Sequence, residues 1–577
     1  MKKRWLSKPQ NPEAAEKISR SLGVSPLLGR ILAARGFSSA ESADEFLSSR
    51  LSFLPDPMSI PGMERACERI TAAIFAGEPL WIYTDFDADG VTSAALLGNF
   101  FSSIGVKWRA RLPRRDKEGY GLHADPLREI AADGGGLVIT ADCGICDVQS
   151  ASLAKSLGLG LVITDHHNPC GQLPDADAVV NPKIETSLYP DPMIAGVGVA
   201  WNLCVALRKV LRERGWFTEL RPEPDLREFL DLVALGTVAD LVPLRGVNRI
   251  LVRAGLGAMN KNPRPGILAL AETALLRSEY RASHLAYQLG PRINAAGRME
   301  SPHQALDLLM SDNMEEARLL AADLNRLNTE RRAEETSSFQ NAKDRVHQSG
   351  WLQSSLSLVV AGEDYHPGVV GIVASRLVEK FQRPSVVISA TGDICKGSAR
   401  TAGELDIYDT LKECEGMLLA FGGHKGAAGV TIKKSGIPAF RESFERAVRR
   451  RVIEEDLAPT LVSDAEASIE ELTLPLVAEL TRLEPFGYGN PSPQVILRNL
   501  EVAEAGHMGE GGNHLRLRLA SENRSIEAVL WNSAHEVEGI RPGVRVDTIG
   551  TPRTRTRGGR TYVQFHALDI KVSEEQS

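Results

Sequence analysis

Acidic residues and histidines follow short apolar runs at four places in the first half of the chain. The residues in these positions are Asp85, Asp87, Asp89, Asp142, Asp165, His166, His167 and Asp240. Carboxylates crowded into one site repel each other, and their pKa values rise unless a cation neutralises them. Oxygen ligands with one or two imidazoles suit Mn²⁺ or Mg²⁺, and two such ions can activate water and stabilise both oxygens of a phosphoryl transfer. The pattern therefore predicts a centre of two Mn²⁺ or Mg²⁺ ions, provided that the four places meet in the fold.

Each of these motifs has a simpler explanation when it is taken alone. An aspartate directly after a strand caps the following helix more often than it binds a metal. Adjacent histidines such as His166 and His167 usually point in different directions. The combination of four motifs, each at a predicted strand end or loop, favours the metal centre over these alternatives.

The apolar runs predict how the acids are brought together. Residues 80–84 (LWIYT), 137–141 (LVITA) and 159–164 (LGLVIT) are short and β-branched, which is typical of buried parallel strands. Helical periods lie between them, at 91–104 and 148–157. Strands that alternate with helices predict a doubly wound α/β domain, in which ligands bind at the carboxyl ends of the strands. We therefore expect the acids to converge at one edge of the sheet.

The remaining pattern predicts a chain of several domains. Residues 303–347 are helical and charged, a second α/β pattern follows, and alternating strands near the C-terminus indicate a small β-barrel. We expect a doubly wound parallel-sheet α/β domain, a long connecting helix, a second α/β domain and a C-terminal β-barrel like the oligonucleotide-binding (OB) fold. The expected boundaries are 1–75 for a helical lead-in, 76–300 for the first α/β domain, 301–350 for connecting helices, 351–452 for the second α/β domain, 453–492 for a connector and 493–577 for the barrel.

Composition argues against several classes of protein. The 577 residues include 67 Lys and Arg against 74 Asp and Glu, and a net charge of -7 argues against coating of nucleic acid by bulk charge. No apolar run reaches the roughly 18 residues of a membrane helix, and none follows the basic N-terminus as in a secretory signal, so we expect a cytoplasmic protein. The seven cysteines do not indicate a disulfide framework. For the CxxC of Cys143 and Cys146 we expect reduced thiols, with a redox pair or half of a zinc site as alternatives.

The motifs, taken in their order, resemble those of a known superfamily. The segments YTDFDADGVTSAALL, ITADCGI, ITDHH and LGTVADLVPL are similar to the four motifs of the DHH phosphoesterases. Within that superfamily the chain resembles the RecJ family of bacterial single-strand-specific exonucleases, over roughly residues 50–573. The segments that carry this closer resemblance are DFDADG, EGYGL (118–122), GPRINAAGRM (290–299), KGSART (396–401), FGGHKGAAG (421–429) and EPFGYGNPSP (484–493). The resemblance implies that the second α/β domain is a DHH-associated domain.

The same resemblance implies a role for each metal ligand. Asp87 and Asp89 would bind different ions, and Asp142 would bridge the two. His166 and Asp240 would complete the site around one ion. The implied catalytic residues are Asp87, Asp89, Asp142, His166, His167 and Asp240.

Three neighbouring residues have supporting roles by the same resemblance. His167 would contact the scissile phosphate or orient the nucleophile. Asp85 would bind an ion or hold in place a residue that binds one. Asp165 would orient a neighbouring histidine or support the turn after its strand.

Basic residues near the metal motifs indicate a binding surface for a single strand. A basic run precedes Tyr120, and its members are Arg109, Arg111, Arg114, Arg115 and Lys117. Charges bind phosphates and a ring stacks on a base, although a solvated loop would explain such a run in isolation. The resemblance implies that Arg114 contacts phosphate and that Tyr120 lines the channel. The full set of implied nucleic-acid-binding residues is Arg114, Tyr120, Arg292, Asn294, Arg298, Ser398, Arg400, Gly423 and His424.

The C-terminal strands carry a local excess of basic residues. Arg553, Arg555 and Arg557 alternate, so on one strand they would share a face. The aromatic residues of the same region are Trp531, Tyr562 and Phe565. The pattern indicates a barrel that binds single strands by charge and stacking, and a solvated hairpin is the alternative.

The resemblance implies a metal-dependent 5′-to-3′ exonuclease that hydrolyses single-stranded DNA to mononucleotides with a metal-activated water. DNA recombination and repair would be its setting, with a single-strand-binding protein and a helicase as candidate partners and no membrane. One alternative is a phosphodiesterase for short oligonucleotides or cyclic dinucleotides, but such enzymes typically lack the barrel expected at 493–573. A non-catalytic relative is the other alternative, but every matched motif retains its Asp or His.

Overall fold

The computed structural model describes residues 3–115, 118–537 and 539–573, so Lys117 of the basic run lies outside the described residues. The chain forms two compact units. The larger unit is Leu51–Leu457 with Gly487–Gly489, and the other combines Met1–Arg50, Ala458–Phe486 and Asn490–Ser577. None of the described helices has the length and apolar character needed to cross a membrane.

Strands and α-helices are numbered in chain order. The strands are β1 (Arg4–Ser7), β2 (Leu80–Thr84), β3 (Trp108–Arg111), β4 (Leu137–Ala141), β5 (Gly160–Thr164), β6 (Ala178–Val180), β7 (Leu358–Gly362), β8 (Ser385–Ser389), β9 (Ile394–Arg400), β10 (Ala420–His424), β11 (Ala427–Lys433), β12 (Thr460–Ser463), β13 (Ala465–Glu466), β14 (Val495–Met508), β15 (His514–Ala520), β16 (Ser525–Leu530), β17 (Arg545–Arg557) and β18 (Arg560–Val572). The helices are α1 (Pro12–Leu22), α2 (Pro26–Ala34), α3 (Ala40–Ser48), α4 (Met63–Ala76), α5 (Ala88–Ser103), α6 (Ala124–Ala132), α7 (Val148–Ser156), α8 (Gly196–Glu213), α9 (Leu230–Ala239), α10 (Gly246–Lys261), α11 (Pro265–Thr273), α12 (Ala282–His284), α13 (Gly290–Met299), α14 (His303–Met310), α15 (Met314–Gln348), α16 (Trp351–Ser354), α17 (Val370–Phe381), α18 (Ile407–Lys412), α19 (Ile437–Arg449) and α20 (Leu474–Leu480).

A five-stranded parallel sheet, in the order β3-β2-β4-β5-β6, forms the centre of the first α/β region. Helices α5 and α8 pack on one face and α6 and α7 on the other, which confirms the doubly wound arrangement. Thr84, Ala141 and Thr164, the last residues of β2, β4 and β5, lie side by side in the register of the sheet. The acids that follow these three residues in sequence therefore start from one edge of the sheet.

Three local features differ from the pattern read in the sequence. Arg109 and Arg111 lie within the edge strand β3 rather than in a loop. Helix α5 begins three residues earlier than predicted, because the Asp87 side chain accepts hydrogen bonds from the backbone N–H groups of Asp89 and Gly90 and caps it. Asp240 follows the buried helix α9, not a strand.

The second α/β region is reached through α15, a helix of 35 residues that confirms the long connecting helix. Its sheet has the order β10-β11-β9-β8-β7, in which only β7 and β8 are parallel among the described strands. Helices α15 and α17 cover one face and α18 and α19 the other. This sheet belongs to the same compact unit as the first one.

The other unit is built from both ends of the chain. Its strands run in the order β13-β14-β15-β16-β18-β17, and β17 also pairs with β14, as expected for an OB-like barrel. The buried side chains of Ile18 and Leu28 from the N-terminal helices share one core with Leu483 and Phe565. The N-terminal helices therefore complete the hydrophobic core of the C-terminal unit.

Candidate metal centre

Side chains from three strand ends and one helix end converge at the edge of the first sheet. The Nε2 atom of His166 lies 3.0 Å from Asp142 Oδ1, 3.6 Å from Asp240 Oδ2 and 3.9 Å from Asp89 Oδ2. Asp89, Asp142 and His166 are buried, and Asp240 is half-buried. The convergence predicted from the motifs is therefore present in the fold.

The ligand atoms form overlapping groups of three. In each group they lie within 4.8 Å of one another, and the groups are Asp89 with His166 and Asp240, Asp85 with Asp87 and Asp142, and Asp142 with His166 and His167. The first two groups have no member in common, and the third links them through Asp142 and His166. The geometry therefore offers two adjacent cation positions, and it places Asp85 among the donors of one.

Several of these atoms are buried without a hydrogen-bond partner. They are Asp85 Oδ1, Asp142 Oδ1, Asp240 Oδ2 and His166 Nε2. Leaving a buried polar atom unsatisfied costs about 1–3 kcal/mol, and more when the group is charged. Divalent cations would satisfy all four atoms, and an oxygen-rich set with an imidazole is the donor chemistry that Mn²⁺ and Mg²⁺ accept.

Burial and mutual repulsion shift the pKa values of the carboxyl groups. They raise the pKa of Asp89 to about 7, and they raise the pKa values of Asp142 and Asp240 well above the ordinary range. Burial and the neighbouring His167 lower the pKa of His166 to about 3. His166 is therefore neutral at physiological pH, which is the form that coordinates a metal.

Helix α8 starts directly at the centre. The backbone N–H groups of Gly196 and Val197 donate to the two carboxylate oxygens of Asp89, at 2.7 and 2.9 Å. A Cβ atom on Gly196 would lie 2.8 Å from Asp142 Oδ1 and 2.9 Å from Asp89 Oδ2, so the helix approaches this closely only because residue 196 is glycine. Sequence reasoning missed this residue, and its signal was the small-residue start of the helix, AGVGVA.

Asp142 has an uncommon backbone conformation. Its φ angle is +64°, in the left-handed region, where Asp and Asn are tolerated better than most other L-residues. The conformation places its carboxylate between Asp89 and His166. A strained residue that carries a buried acid is a feature of functional sites.

Asp165 fixes the orientation of His167. Its Oδ1 atom accepts hydrogen bonds from the His167 backbone N–H at 3.0 Å and from the Nδ1–H at 2.8 Å, and its Oδ2 atom accepts one from the Ile145 N–H at 2.9 Å. Burial would raise the pKa of Asp165, but His167 and His166 outweigh it and lower that pKa; the same pairing raises the pKa of His167. The Tyr120 hydroxyl lies 2.9 Å from the same Nδ1 atom of His167.

Lys183 is a second neighbour that sequence reasoning missed. Burial lowers the pKa of its ammonium group, while the charges of Asp240 and Asp165 oppose this shift. The preceding Asn181 is fully buried, and its side-chain amide donates to the His167 backbone carbonyl at 2.9 Å. No local pattern marks residues 181–183 (NPK), because their role depends on β6 ending beside the metal centre in the fold.

A basic cavity of about 590 Å³ adjoins the acids. Its basic lining residues are Arg115, Arg298, His366, Lys396 and Arg400. Burial, together with the charges of Arg115, Arg331 and Arg400, lowers the pKa of Arg298 to about 9. Arg115 also faces the carboxylates of Asp85 and Asp87. The cavity is therefore suited to an anion, and two of its arginines are close enough to the acids to feel their charge.

Most of the predicted nucleic-acid-binding residues lie around this cavity. Ser398, Arg400, Arg298 and Gly423 line it. His424 is next to Gly423 and close enough to Arg400 and His167 for their charges to lower its pKa further, after burial. Gly423 and His424 both lie in the strand β10.

Three predicted residues have other placements. Arg114 does not line the cavity, where the neighbouring Arg115 takes that place. Asn294 Oδ1 accepts a hydrogen bond from the Ala88 N–H at 2.8 Å, beside the acids. Arg292 points to the side of α13 opposite to Asn294, because residues two positions apart on a helix are rotated by about 200° about its axis. The GPRINAAGRM segment therefore divides its polar residues between two faces.

The aromatic residues predicted to stack in the barrel unit differ in accessibility. Trp531 is exposed and contacts the rings of His514 and His566. Tyr562 pairs across the strands with Arg555 and is half-buried. Phe565 is fully buried in the core, so it is not available for stacking.

A disulfide joins the two loops that carry the centre. Cys146, from the loop after β4, is bonded to Cys170, from the loop after β5, with 5.2 Å between the Cα atoms. The expectation of reduced thiols is therefore wrong for Cys146, because the parallel strands bring a distant cysteine beside it. Cys143 is free and buried, as expected.

Comparisons with known proteins agree with this architecture. Family models match in three ranges, the DHH family N-terminal domain at residues 79–237, the DHHA1 domain at 353–450 and the RecJ OB domain at 463–569. A parallel sheet with acids and paired histidines at its strand ends, followed by a DHHA1 domain, defines a DHH phosphoesterase.

Relatives of known name narrow the class further. The single-stranded-DNA-specific exonuclease RecJ of Bacillus subtilis is 36% identical over 578 residues, which cover 100% of this chain and 72% of that protein. The protein of the same name from Escherichia coli is 38% identical over 492 residues, covering 83% and 85%. The chain belongs to the RecJ family. The crystal structure of RecJ from Thermus thermophilus in complex with Mn²⁺ matches it with a TM-score of 0.83 and 29% identity, over 99% of this chain and 79% of that one.

Proposed function

We propose that this protein is a metal-dependent exonuclease that hydrolyses single-stranded DNA from the 5′ end to mononucleotides, in DNA recombination and repair. The observation that carries the proposal is the position of the buried acids and His166 beside a cavity lined by arginines. One group of residues would hold divalent cations, and the other would bind the phosphates of a strand. The names of the relatives from Bacillus subtilis and Escherichia coli support single-stranded DNA as the substrate.

The proposed metal ligands are those that converge at the sheet edge. Asp89, His166 and Asp240 would hold one ion, Asp85 and Asp87 would hold the other, and Asp142 would bridge them. The bound ions, Mn²⁺ or Mg²⁺, would supply a hydroxide nucleophile and neutralise charge on the phosphate. The backbone N–H groups at the start of α8 fix Asp89, so its carboxylate is oriented before an ion binds.

His167 is proposed to contact the scissile phosphate. Its Nδ1–H is held by Asp165, which leaves Nε2 directed away from that pair. The raised pKa of His167 favours a ring that can also carry a proton at Nε2 and donate it to a phosphate oxygen. Tyr120, beside the same ring, is exposed and would line the path of the strand.

The basic cavity is proposed to bind phosphate groups of the strand. Arg115, Arg298 and Arg400 supply planar donors that suit non-bridging oxygens. Ser398 accepts a hydrogen bond from Arg400 at 2.7 Å and orients it. Glycine at 423 allows the backbone of β10 to lie close to β11 at the cavity wall, since a Cβ there would lie 2.3 Å from the Ala427 carbonyl oxygen.

The wider setting of the protein is part of the same proposal. We propose a location in the cytoplasm, with a single-strand-binding protein and a helicase as partners, and the domain boundaries expected from the sequence stay a prediction. Exposed Trp531 and the arginines of β17 would let the barrel unit contact longer strands.

The substitution Asp142→Asn tests the proposed chemistry. Asparagine tolerates the positive φ angle of residue 142 but removes the carboxylate charge that both cation positions would share. We therefore expect hydrolysis of single-stranded DNA with Mn²⁺ to fall at least about 100-fold. Circular dichroism should show an unchanged fold.

Asp175→Asn is the matched control. Asp175 is an exposed acid that pairs with Lys155, and its loss should leave the rate unchanged. Full activity of the Asp142→Asn protein, or equal hydrolysis by the wild type in EDTA, would contradict the proposal. Hydrolysis of dinucleotides in preference to long strands would instead indicate a phosphodiesterase of short substrates.

A further inference from the structure

A second basic pocket lies on the side of α13 that faces away from the metal centre. We call it the outer basic pocket, and it has a volume of about 560 Å³. Its charged and titratable lining residues are Arg277, His284, Arg292 and Arg332. Asn294, two positions after Arg292, contacts Ala88 beside the acids, so the two faces of one helix serve different sites.

Positive charge accumulates in this pocket without local compensation. No carboxylate lines it among the described residues, and no ion pair joins a described carboxylate to Arg277, Arg292 or Arg332. Burial and the charge of Arg332 lower the pKa of Arg292, and burial and Arg281 lower the pKa of His284.

The other arginines of α15 behave differently. Arg318 pairs with Glu272, Arg326 with Glu330 and Arg331 with Glu335. Arg332 lies directly after one of these paired residues and is exposed to the pocket instead. The absence of a carboxylate at the pocket is therefore a local property of this site and not of the helix.

The pocket also has a fixed side chain, and an exposed ring precedes one of its lining residues in sequence. Arg292 is only 8% exposed and is held by the Asn325 side-chain oxygen at 3.1 Å and the Gln288 backbone carbonyl at 2.6 Å. Tyr287 is 74% exposed and precedes the lining residue Gln288, in a π-helical turn over Leu285–Leu289. Such turns frequently occur at functional sites. A fixed guanidinium together with the exposed Arg277 and Arg332 suits the phosphates of a nucleic acid strand, and an exposed ring one residue from the lining suits its bases.

We propose that the outer basic pocket is a second phosphate-binding site, which takes a backbone phosphate of a single strand away from the bond that is cut. The site rests on the proposed function, since it deepens the binding of the same substrate. Its ligand chemistry is a phosphate group, which a nucleic acid backbone or free inorganic phosphate could supply.

The double substitution Arg277→Gln with Arg332→Gln tests the site. Both residues are exposed, so the fold should not depend on them. Affinity for a long single strand, measured by fluorescence anisotropy in EDTA, should fall about tenfold. The slope of log K against log salt should decrease by about 0.7 for each lost phosphate contact. Hydrolysis of a saturating dinucleotide with Mn²⁺ should not change.

The matched control is Arg318→Gln with Arg326→Gln, which removes two arginines of α15 that already have partners. Equal affinity and equal salt slope for the two double variants would overturn the proposal. Inorganic phosphate separates the two sources of the ligand. If the test variant loses the thermal stabilisation by phosphate but binds the strand as tightly as the control, the site takes free phosphate and the assignment to a strand is wrong.

The outcome is independent of the proposed nuclease activity. Strand affinity is measured without metal, while wild-type hydrolysis with Mn²⁺ is measured in parallel. Absence of hydrolysis would refute the proposed function and leave the binding result as it stands.

Discussion

At the scale of residues, the carboxylates that would bind cations destabilise the metal-free fold. Asp89 and Asp142 are buried beside each other, and both have raised pKa values. An acid that is harder to ionise in the folded chain than in the unfolded chain opposes folding at neutral pH. The carboxylates that suit a cation therefore lower the stability of the fold until ions neutralise their charge.

A pH dependence follows for the metal-free protein. The ordinary pKa of Asp89 is 3.8, and its pKa in the fold is about 7. Between these values the unfolded chain releases a proton that the folded chain keeps, so stability should fall as the pH rises from about 4 to about 7. Melting temperatures in EDTA across this range should show the loss, and Mn²⁺ should reverse it.

The variant Asp142→Asn isolates the cause. It removes one member of the repelling set at nearly constant volume, so its melting temperature in EDTA at pH 8 should exceed that of the wild type by a few degrees, and Mn²⁺ should raise it less. Asp175→Asn, on the surface, should follow the wild type. A profile of Asp142→Asn parallel to that of the wild type would show that these acids do not set the pH dependence.

The identity of the candidate ligands could be predicted from the sequence, but not that of their neighbours. Motif order was enough for Asp89, Asp142 and His166, because each lies within a few residues of the end of a predicted strand. Gly196 and Lys183 have no such mark, since their roles depend on where α8 and the segment after β6 return. Arg292 and Asn294 face different sites because 290–299 is a helix, which the sequence pattern of this segment does not predict.

At the scale of elements, burial determined which predictions were correct. The strands β2 and β4 are buried on both faces, and their predicted bounds are those of the structure. Strand β3 lies at the edge of the sheet, so its arginines can face solvent and hide its strand character. Helix α9 is apolar on every side, and such a segment cannot be distinguished from a buried strand by period alone.

The disulfide should stabilise the loops around the centre. Cys146 and Cys170 are 24 residues apart in sequence, and closing a loop of this kind contributes about 2–4 kcal/mol. Both residues are exposed, so a reductant can reach them. We expect urea unfolding of the larger unit to shift to lower concentration when dithiothreitol is added.

The substitution Cys146→Ser provides the control for this prediction. It should unfold at the position of the reduced wild type, with or without dithiothreitol. Identical unfolding curves for oxidised and reduced wild-type protein, or titration of all seven cysteines without a reductant, would contradict the cross-link.

At the scale of the whole molecule, sequence order and packing order differ. The apolar faces of α1 and α2 complete the core of the C-terminal strands, although the larger unit separates them in sequence. No local pattern predicts which surface an amphipathic helix will cover, so the sequence indicated only a helical lead-in. The OB-like strands were recognisable because their alternation is local.

The segment 51–457 should retain part of the activity when it is produced without the rest of the chain. It contains all the candidate metal ligands and both α/β sheets and lacks only the short return at Gly487–Gly489. We expect it to fold, to bind Mn²⁺ and to hydrolyse short single strands, while its affinity for long strands falls about tenfold or more because the barrel unit is absent. Calorimetry, a nuclease assay and anisotropy would measure these three properties.

Removal of residues 458–577 is the informative comparison. It would leave α1 and α2 without the segments that share their core and so expose Ile18 and Leu28 to water. Light scattering should detect association of that protein but not of the 51–457 segment. The opposite result would contradict the shared core.

The shared core also determines when this protein can finish folding during its synthesis. The first 50 residues leave the ribosome long before Ala458, the start of the chain segments that cover them. At about 5–20 residues per second, the intervening stretch takes roughly 20 to 80 s to translate. Throughout that interval the apolar surface that these helices bury against the C-terminal segments has no partner within the nascent chain, so this early segment is where a chaperone would be needed.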